Sequence, residues 1–307
     1  MTIHRFIPEH YHATLGRHAP VMHVSDGDSV ITRTLDAHGY DHDNVLRGPD
    51  TNPMTGPFHI DGAEPGDTLA VEIKRIHMTR AMGWTRSGLA WNVVVPAAVR
   101  DMPVRDKIFW RIDGNQGVVR LEAPPPALAD WSVPLQPMIG CFGVAPRDGE
   151  MISTATSGRH GGNMDYRRFG EGSIAYFPVA AAGAVFCLGD VHVAQGDGEI
   201  AGTGIETSAE VEFVVRVLKG RAIGWPRGET AECIFTVGNA RPLEQALQHA
   251  TTEMLAWLEQ DFGLDRVSAA HVMGMAVRYD IANVFNPAFS VACRLQKAAL
   301  AGFDRRV

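Results

Sequence analysis

Short β-type segments separated by glycine and proline dominate the first 240 residues, and they constrain the fold more than any other feature. Val, Ile, Thr and Phe are concentrated in these segments, while 32 glycines and 18 prolines punctuate the chain. Because helices do not alternate with the segments, the pattern favours a β-sandwich or barrel over a βαβ sheet. The clearest predicted strands are Ser29–Thr34, Thr68–Ile76, Asp106–Ile112, Gly117–Glu122, Ala209–Leu218 and Glu232–Val237.

The chain changes character after residue 240. Apolar residues recur at helical spacing over Leu243–Phe262, Gly263 predicts the end of that helix, and Asp265 predicts the cap of a second one. We therefore predict a mainly β (α+β) protein in which residues 241–307 form a helical segment packed on the β-rich body.

Length and composition bound the domain organisation and the partners. A chain of 307 residues can bury a large core as one domain. The predicted catalytic body spans residues 1–240. A weak sequence similarity between two of its segments allows two interlocked β units with a boundary near residues 130–150. A formal charge of −7 and the absence of a basic, aromatic-rich stripe argue against nucleic acid and anionic membranes as partners. Four widely spaced cysteines and the absence of an apolar leader predict a cytoplasmic protein with reduced thiols.

The stretch GDVHVAQGDGE, Gly189–Glu199, concentrates polar side chains after an apolar run that should be buried. If the preceding strand is extended through His192, Asp190 and His192 project from one face, where they suit zinc or a similar divalent cation. Gln195 and Glu199 follow on a glycine-rich turn, and Glu199 is placed to act as a general base or a further ligand. A strand end followed by a solvated turn explains the same residues, and the residues alone leave the two interpretations open.

Three other segments present polar groups. Asn163 and Asp165 follow two glycines in a tight loop, which is also typical of an Asx-stabilised turn. Asp36 and His38 have the same i, i+2 spacing as the Asp–His pair above, which suggests a second source of ligands. Glu64 precedes a Pro-Gly-Asp turn, where a solvated loop residue and a buried acid are both open interpretations.

The sequence gives little support for a catalytic cysteine or serine nucleophile or for nucleotide binding. Cys141 and Cys187 lie in apolar, strand-like runs, where an inert buried thiol is the default. The sequence has no G-x-S-x-G elbow, no P-loop and no G-x-G-x-x-G that opens a helix.

Several segments together resemble the acetamidase/formamidase family in collinear order: TGPFHIDGAEPGDTLAVEI (55–73), PMIGCFGVAP (137–146), GGNMD (161–165), GDVHVAQGDGEIAGTGIE (189–206) and the tail at 257–287. The resemblance implies hydrolysis of a short aliphatic amide to carboxylate and ammonia. It also implies jelly-roll-like and barrel-like β parts and a homo-oligomer, a dimer or trimer. The family's shared polar positions fall on Asp36, Glu64, Asn163, Asp165, Asp190, His192, Gln195, Glu199 and Glu206. The chain is shorter than the long formamidase branch, which favours acetamidase-like substrates.

Our hypothesis assigns these residues to three roles. Asp36, Asp165, Asp190 and His192 hold a divalent metal, zinc being the expected one, which activates water and polarises the amide carbonyl. Glu199, or else Glu64, transfers the proton from water to the departing nitrogen, and Asn163, Gln195 and Glu206 bind the substrate. The alternatives are a metal-free amidase that relies on carboxylates, nucleophilic catalysis by Cys187, and a non-catalytic β module that binds a small polar ligand.

Overall fold

Most of the chain forms β-strands, as the sequence predicts. The computed structural model describes residues 1–306, which contain 22 strands, two α-helices and six short 3-10 helices. The strands are β1 (Ile3–Phe6), β2 (Thr14–Leu15), β3 (Met22–Val24), β4 (Ser29–Arg33), β5 (Thr55–Ile60), β6 (Thr68–Met78), β7 (Met82–Arg86), β8 (Lys107–Asp113), β9 (Val118–Leu121), β10 (Val133–Pro134), β11 (Met138–Gly143), β12 (Ile152–Ser153), β13 (Ser157–Gly158), β14 (Gly161–Asn163), β15 (Ile174–Pro178), β16 (Phe186–His192), β17 (Glu206–Thr207), β18 (Ala209–Leu218), β19 (Arg227–Glu229), β20 (Cys233–Ala240), β21 (Arg278–Asn283) and β22 (Phe289–Gln296). The helices are α1 (Leu243–Phe262) and α2 (Arg266–Ala276), and the 3-10 helices are Trp91–Val93, Pro96–Asp101, Pro126–Leu128, Arg147–Gly149, Asp197–Glu199 and Lys297–Leu300.

The strands assemble into two large sheets. A nine-stranded sheet has the order β1-β4-β18-β6-β15-β19-β20-β22-β21, and an eleven-stranded sheet has the order β10-β9-β8-β7-β17-β16-β11-β14-β13 with β5 and β3 attached beside β16. Val71 and Phe213 of the first sheet share one buried cluster with Phe142 and Leu188 of the second. The two inner faces therefore form a single apolar core, as in a β-sandwich.

The predicted strands match the structure closely. Ala209–Leu218 is observed with the predicted bounds, and the strand predicted at Thr68–Ile76 continues to Met78. β8 and β9 form a hairpin around Asp113-Gly114-Asn115, where the Asp113 carboxylate accepts a hydrogen bond from the Gln116 backbone at 2.9 Å. These features are local, so alternation and turn residues are enough to locate them.

The C-terminal segment is only partly helical, which corrects the prediction for residues 241–307. Gly263 ends α1 in a left-handed conformation (φ 60°), and the Asp265 side chain caps α2 as predicted. The chain then returns to the first sheet as β21 and β22, and β22 pairs with β20. α1 packs on the outer face of that sheet through Met254 and Trp257. Within residues 1–306, no helix has the length and apolar character needed to cross a bilayer.

Both sheets draw strands from either side of residues 130–150. In the first sheet β6 pairs with β15, and in the second β5 pairs with β16. Each sheet therefore contains strands from both sides of this boundary, and the two sheets bring residues distant in sequence to one end of β16.

Candidate active site

Two buried polar residues of β16, Asp190 and His192, form the centre of the site. The strand pairs with β11 on one side, and Gly140 of β11 lies opposite Asp190. A Cβ atom on Gly140 would lie 2.5 Å from Asp165 Oδ1 and 2.8 Å from Asp190 Oδ2. Glycine therefore leaves the space that the two carboxylates occupy.

Three of the acidic residues at the site have left-handed backbone conformations. The φ angles are 46° at Asp165, 58° at Asp190 and 47° at Glu199. Such conformations are costly for residues other than glycine and concentrate at functional sites. The strand predicted through His192 is present as β16, but its backbone leaves the extended conformation at Asp190, whose carboxylate still lies close to His192.

Four carboxylates surround one imidazole. His192 Nε2 lies 3.4 Å from Asp190 Oδ1 and 3.2 Å from Glu206 Oε1. One potential ligand atom from each of Asp165, Asp190 and His192 lies within 4.8 Å of the others, and the same holds for His192, Glu199 and Glu206. All five side chains are buried. The arrangement therefore concentrates negative charge where water cannot screen it.

Side-chain amides hold the cluster in place. Gln195 Oε1 lies 2.8 Å from His192 Nδ1, and Gln195 Nε2 donates to the Asp165 carbonyl at 2.6 Å, so His192 Nδ1 is the donor to Gln195. Asn286 and Asn283 donate to Asp165 Oδ2 at 2.7 and 2.9 Å. Asn283 also donates to Glu199. These bonds orient His192 so that Nε2 faces the carboxylates.

Several buried polar atoms around this space have no hydrogen-bond partner. They are Asn163 Oδ1, Asp165 Oδ1, Asp190 Oδ1, His192 Nε2 and Glu206 Oε2. An unsatisfied buried polar atom costs about 1–3 kcal/mol, and more when it is charged. Three of these atoms are carboxylate oxygens and one is an imidazole nitrogen, which are ligand types that suit zinc or another divalent cation.

Burial and neighbouring charges shift the pKa values of Asp165, His192, Glu199 and Glu206. Burial and the neighbouring Asp190 raise the pKa of Asp165 to about 7. Burial raises the pKa of Glu206 to about 8, and burial together with Asp165 raises the pKa of Glu199 well above its usual range. Burial lowers the pKa of His192, but Glu206 and Asp190 outweigh it and raise that pKa. Perturbation of this kind is typical of active sites.

A cleft of about 530 Å³ leads from the surface to this cluster. Asn163, Asp190, Glu199 and Glu206 contribute to its lining. The other walls include the aromatic and amide side chains of His38, Asn52, Trp84, Phe285 and Asn286. A small molecule can therefore reach the buried polar groups.

The structure does not bring Asp36 or Glu64 into the cluster, which corrects two predicted roles. The Asp36 carboxylate is buried and already accepts hydrogen bonds from the backbones of His38 and Tyr40 and from Arg80 and Trp84. It has no free oxygen for a metal and instead positions two walls of the cleft. Glu64 is exposed in the turn between β5 and β6 and does not line the cleft, so it is not placed to act as a base.

Two predicted substrate-binding residues have different surroundings from those expected. Glu206 contacts His192 and belongs to the group of potential metal ligands. The Gln195 side-chain amide forms hydrogen bonds with His192 and with two main-chain carbonyls, so Gln195 is a positioning residue. Asn163 does line the cleft with an unpaired side-chain oxygen, as a substrate-binding residue would.

Sequence reasoning missed the asparagines that support the carboxylates. Asn283 ends β21 and Asn286 follows it in the segment ANVFNP. Asn52, which donates to Asp190 Oδ2 at 3.1 Å, stands in a loop before β5. The available signal was the pair of asparagines in an otherwise apolar segment of the tail. Asparagine is so common in turns that residue type alone does not identify such a role.

The fold and site define a class, a β-sandwich protein with a buried carboxylate–histidine centre at the base of an open cleft. A sequence model of the acetamidase/formamidase family matches residues 10–157 and 147–286, so the chain belongs to this family.

The chain is similar to named acetamidases and formamidases in sequence and structure. It is 29% identical to an acetamidase of Mycolicibacterium smegmatis over 66% of this chain and 63% of that protein, so it spans less than two thirds of that relative's length. A solved acetamidase from Yersinia enterocolitica is 31% identical with a TM-score of 0.85, covering 97% of this chain and 93% of that one. A predicted acetamidase/formamidase from Thermoanaerobacter tengcongensis is 28% identical with a TM-score of 0.84, covering 99% and 98%. These two solved proteins therefore share the β-sandwich fold with this chain along nearly its whole length.

Proposed function

We propose that this protein hydrolyses short linear amides, of which acetamide and formamide are the simplest, to a carboxylate and ammonia. The observation that carries the proposal is the group of unpaired buried polar atoms at the base of the cleft. The names of the similar proteins support the same reaction. A site with several potential ligands for a cation and a buried carboxylate, Glu199, that lines the cleft has the parts that amide hydrolysis requires.

Asp165, Asp190, His192 and Glu206 fit a divalent cation, and we propose zinc as the first candidate. Such a cation would supply Lewis acidity toward the amide carbonyl and lower the pKa of water. It would also compensate the negative charge that these carboxylates otherwise bring into a water-poor space.

The protein's own side chains position the reactants and move the proton. Glu199 lines the cleft, and the bond from Asn283 holds its carboxylate in place. We assign Glu199 the general-base role: it takes a proton from the attacking water and delivers it to the nitrogen as the C–N bond breaks. Asn163 Oδ1 is free to accept a hydrogen bond from the substrate amide N–H.

Two alternatives remain from the sequence. A metal-free amidase would use Glu199 and a second carboxylate for acid–base work, and the raised pKa values favour carboxyls that hold protons near neutral pH. A non-catalytic binding module would use the same cleft for a small polar ligand. A homo-oligomer, dimer or trimer, and a cytoplasmic location stay predictions.

The test combines an amide panel with elemental analysis. Purified protein is assayed for ammonia release from formamide, acetamide and longer amides, before and after removal of metal by a chelator. We expect turnover that disappears on chelation and returns with Zn²⁺. Full activity in protein verified as metal-free would establish the carboxylate-only mechanism, and no ammonia from any amide in metal-loaded protein would refute the enzymatic proposal.

A further inference from the structure

A second group of potential ligand side chains lies on the outer surface, apart from the cleft. It comprises His23 of β3, His59 of β5 and Asp61 just beyond β5. The two strands are parallel with His23 opposite His59, and the Asp61 backbone N–H donates to the Val24 carbonyl at 2.9 Å. The strand-like pairing therefore extends to Asp61.

Alternation along the two strands fixes the direction of these side chains. Val24, Phe58 and Ile60 are fully buried in the core between the sheets. Because strand side chains alternate, the intervening His23 and His59 project from the opposite face. Asp61 is two residues beyond His59 and shares that face. The buried neighbours make this a rigid support.

The three side chains already converge. His23 Nδ1 lies 2.9 Å from Asp61 Oδ1, and the rings of His23 and His59 have centroids 4.4 Å apart. One potential ligand atom from each residue lies within 4.8 Å of the others. Side-chain exposures of 67% at His23 and 47% at Asp61 leave the group open to a cation from solution.

The backbone beneath His59 restricts its ring. Gly183 has a φ angle of 76°, and a Cβ atom there would lie 2.1 Å from His59 Nδ1. The Ile60 N–H donates to the Gly183 carbonyl at 2.9 Å, which keeps the glycine against β5. The His59 ring is thus packed on main chain, and its position is set before any ligand arrives.

We propose that His23, His59 and Asp61 form a surface site for a transition-metal cation such as Zn²⁺. Two imidazoles and one carboxylate suit zinc, with the remaining coordination positions left to water. Ca²⁺ and Mg²⁺ prefer sets made of oxygen ligands, so they should not occupy it. A cation there joins the three-residue strand β3 to β5 and stabilises the attachment of the N-terminal region.

The test measures Zn²⁺ stoichiometry by titration calorimetry on chelator-treated full-length protein. His23→Ala and His59→Ala should each bind one fewer equivalent of Zn²⁺ than the wild type. The matched control is His77→Ala, which removes an exposed strand histidine outside the group and should leave the stoichiometry unchanged.

Two further readouts separate this site from the cleft. Ammonia release should be unchanged in His23→Ala, and Ca²⁺ should produce no binding that His23→Ala removes. If His23→Ala binds Zn²⁺ with the same stoichiometry and affinity as the wild type, or if His77→Ala loses the same equivalent, the proposal is overturned.

Discussion

Replacing Gly140 by alanine tests whether the two central carboxylates need the space that glycine leaves. Gly140 lies in β11, and its carbonyl accepts the backbone N–H of Asp165 at 3.1 Å. Its φ angle is not positive, so alanine adds no backbone strain and the effect is steric. The new methyl group would point directly at Asp165 and Asp190.

The expected displacement follows from the distances. Ordinary van der Waals contact begins near 3.4 Å, whereas the new Cβ would lie 2.5 Å from Asp165 Oδ1 and 2.8 Å from Asp190 Oδ2. The oxygens must therefore retreat by about 0.6–0.9 Å, several times the ~0.2 Å tolerance of metal–ligand distances. A misplacement of ~1 Å costs about 10²-fold in rate, and overpacking a buried site costs about 1–3 kcal/mol of stability.

The assay compares kcat/KM for ammonia release, metal content and the free energy of unfolding in urea. Gly140→Ala should lose metal and about 10²-fold or more in kcat/KM. Gly274→Ala is the control, because no atom lies near its added methyl group within α2 and the change should be neutral or stabilise by up to ~1 kcal/mol. If Gly140→Ala keeps its metal and wild-type kcat/KM, the steric reasoning and the assignment of this pair as ligands are wrong.

Three further predictions address the proton, the cation and the thiols. Glu199→Gln should lower kcat by about 10²–10⁴ with metal content retained. The control variant Asp197→Asn, at an exposed neighbouring residue, should retain wild-type kcat. Equal kcat in both variants would show that Glu199 is not the general base. Cation affinity should fall as the pH drops through 8 and then 7, because the raised pKa values of Glu206 (about 8) and Asp165 (about 7) let protons compete with the metal. Calorimetry in two buffers should detect the released protons, and a pH-independent affinity would contradict this. Cys187→Ala should keep full activity, because burial raises the pKa of the Cys187 thiol to about 12. A large loss of kcat in folded Cys187→Ala would instead indicate nucleophilic catalysis by this thiol.

Much of the fold was predictable because its signals are local. The period of the apolar residues and the Gly263 and Asp265 caps located both helices. The return of the chain as β21 and β22 was not predicted, because strands after a helix carry little periodicity of their own. β22 is stabilised by pairing with β20, and β21 by pairing with β22.

The site was predictable in part. The i, i+2 spacing correctly suggested that Asp190 and His192 meet, although the left-handed backbone at Asp190 was not foreseen. Asp36 has the same spacing relative to His38, yet its carboxylate already accepts four N–H hydrogen bonds. Spacing along one segment indicates which side chains share a face of a strand. It does not indicate whether other segments already supply hydrogen-bond donors to those side chains.

Residue order alone therefore establishes the β-rich class, the helix limits and a polar segment at the end of a buried strand, because these depend on neighbours in sequence. The convergence of Asp165, Glu199 and Glu206 on His192 depends on strand order across two sheets. Burial of that cluster raises the carboxyl pKa values and leaves its polar atoms unpaired. Those properties arise from desolvation and long-range contacts, which exist only once the two sheets have packed.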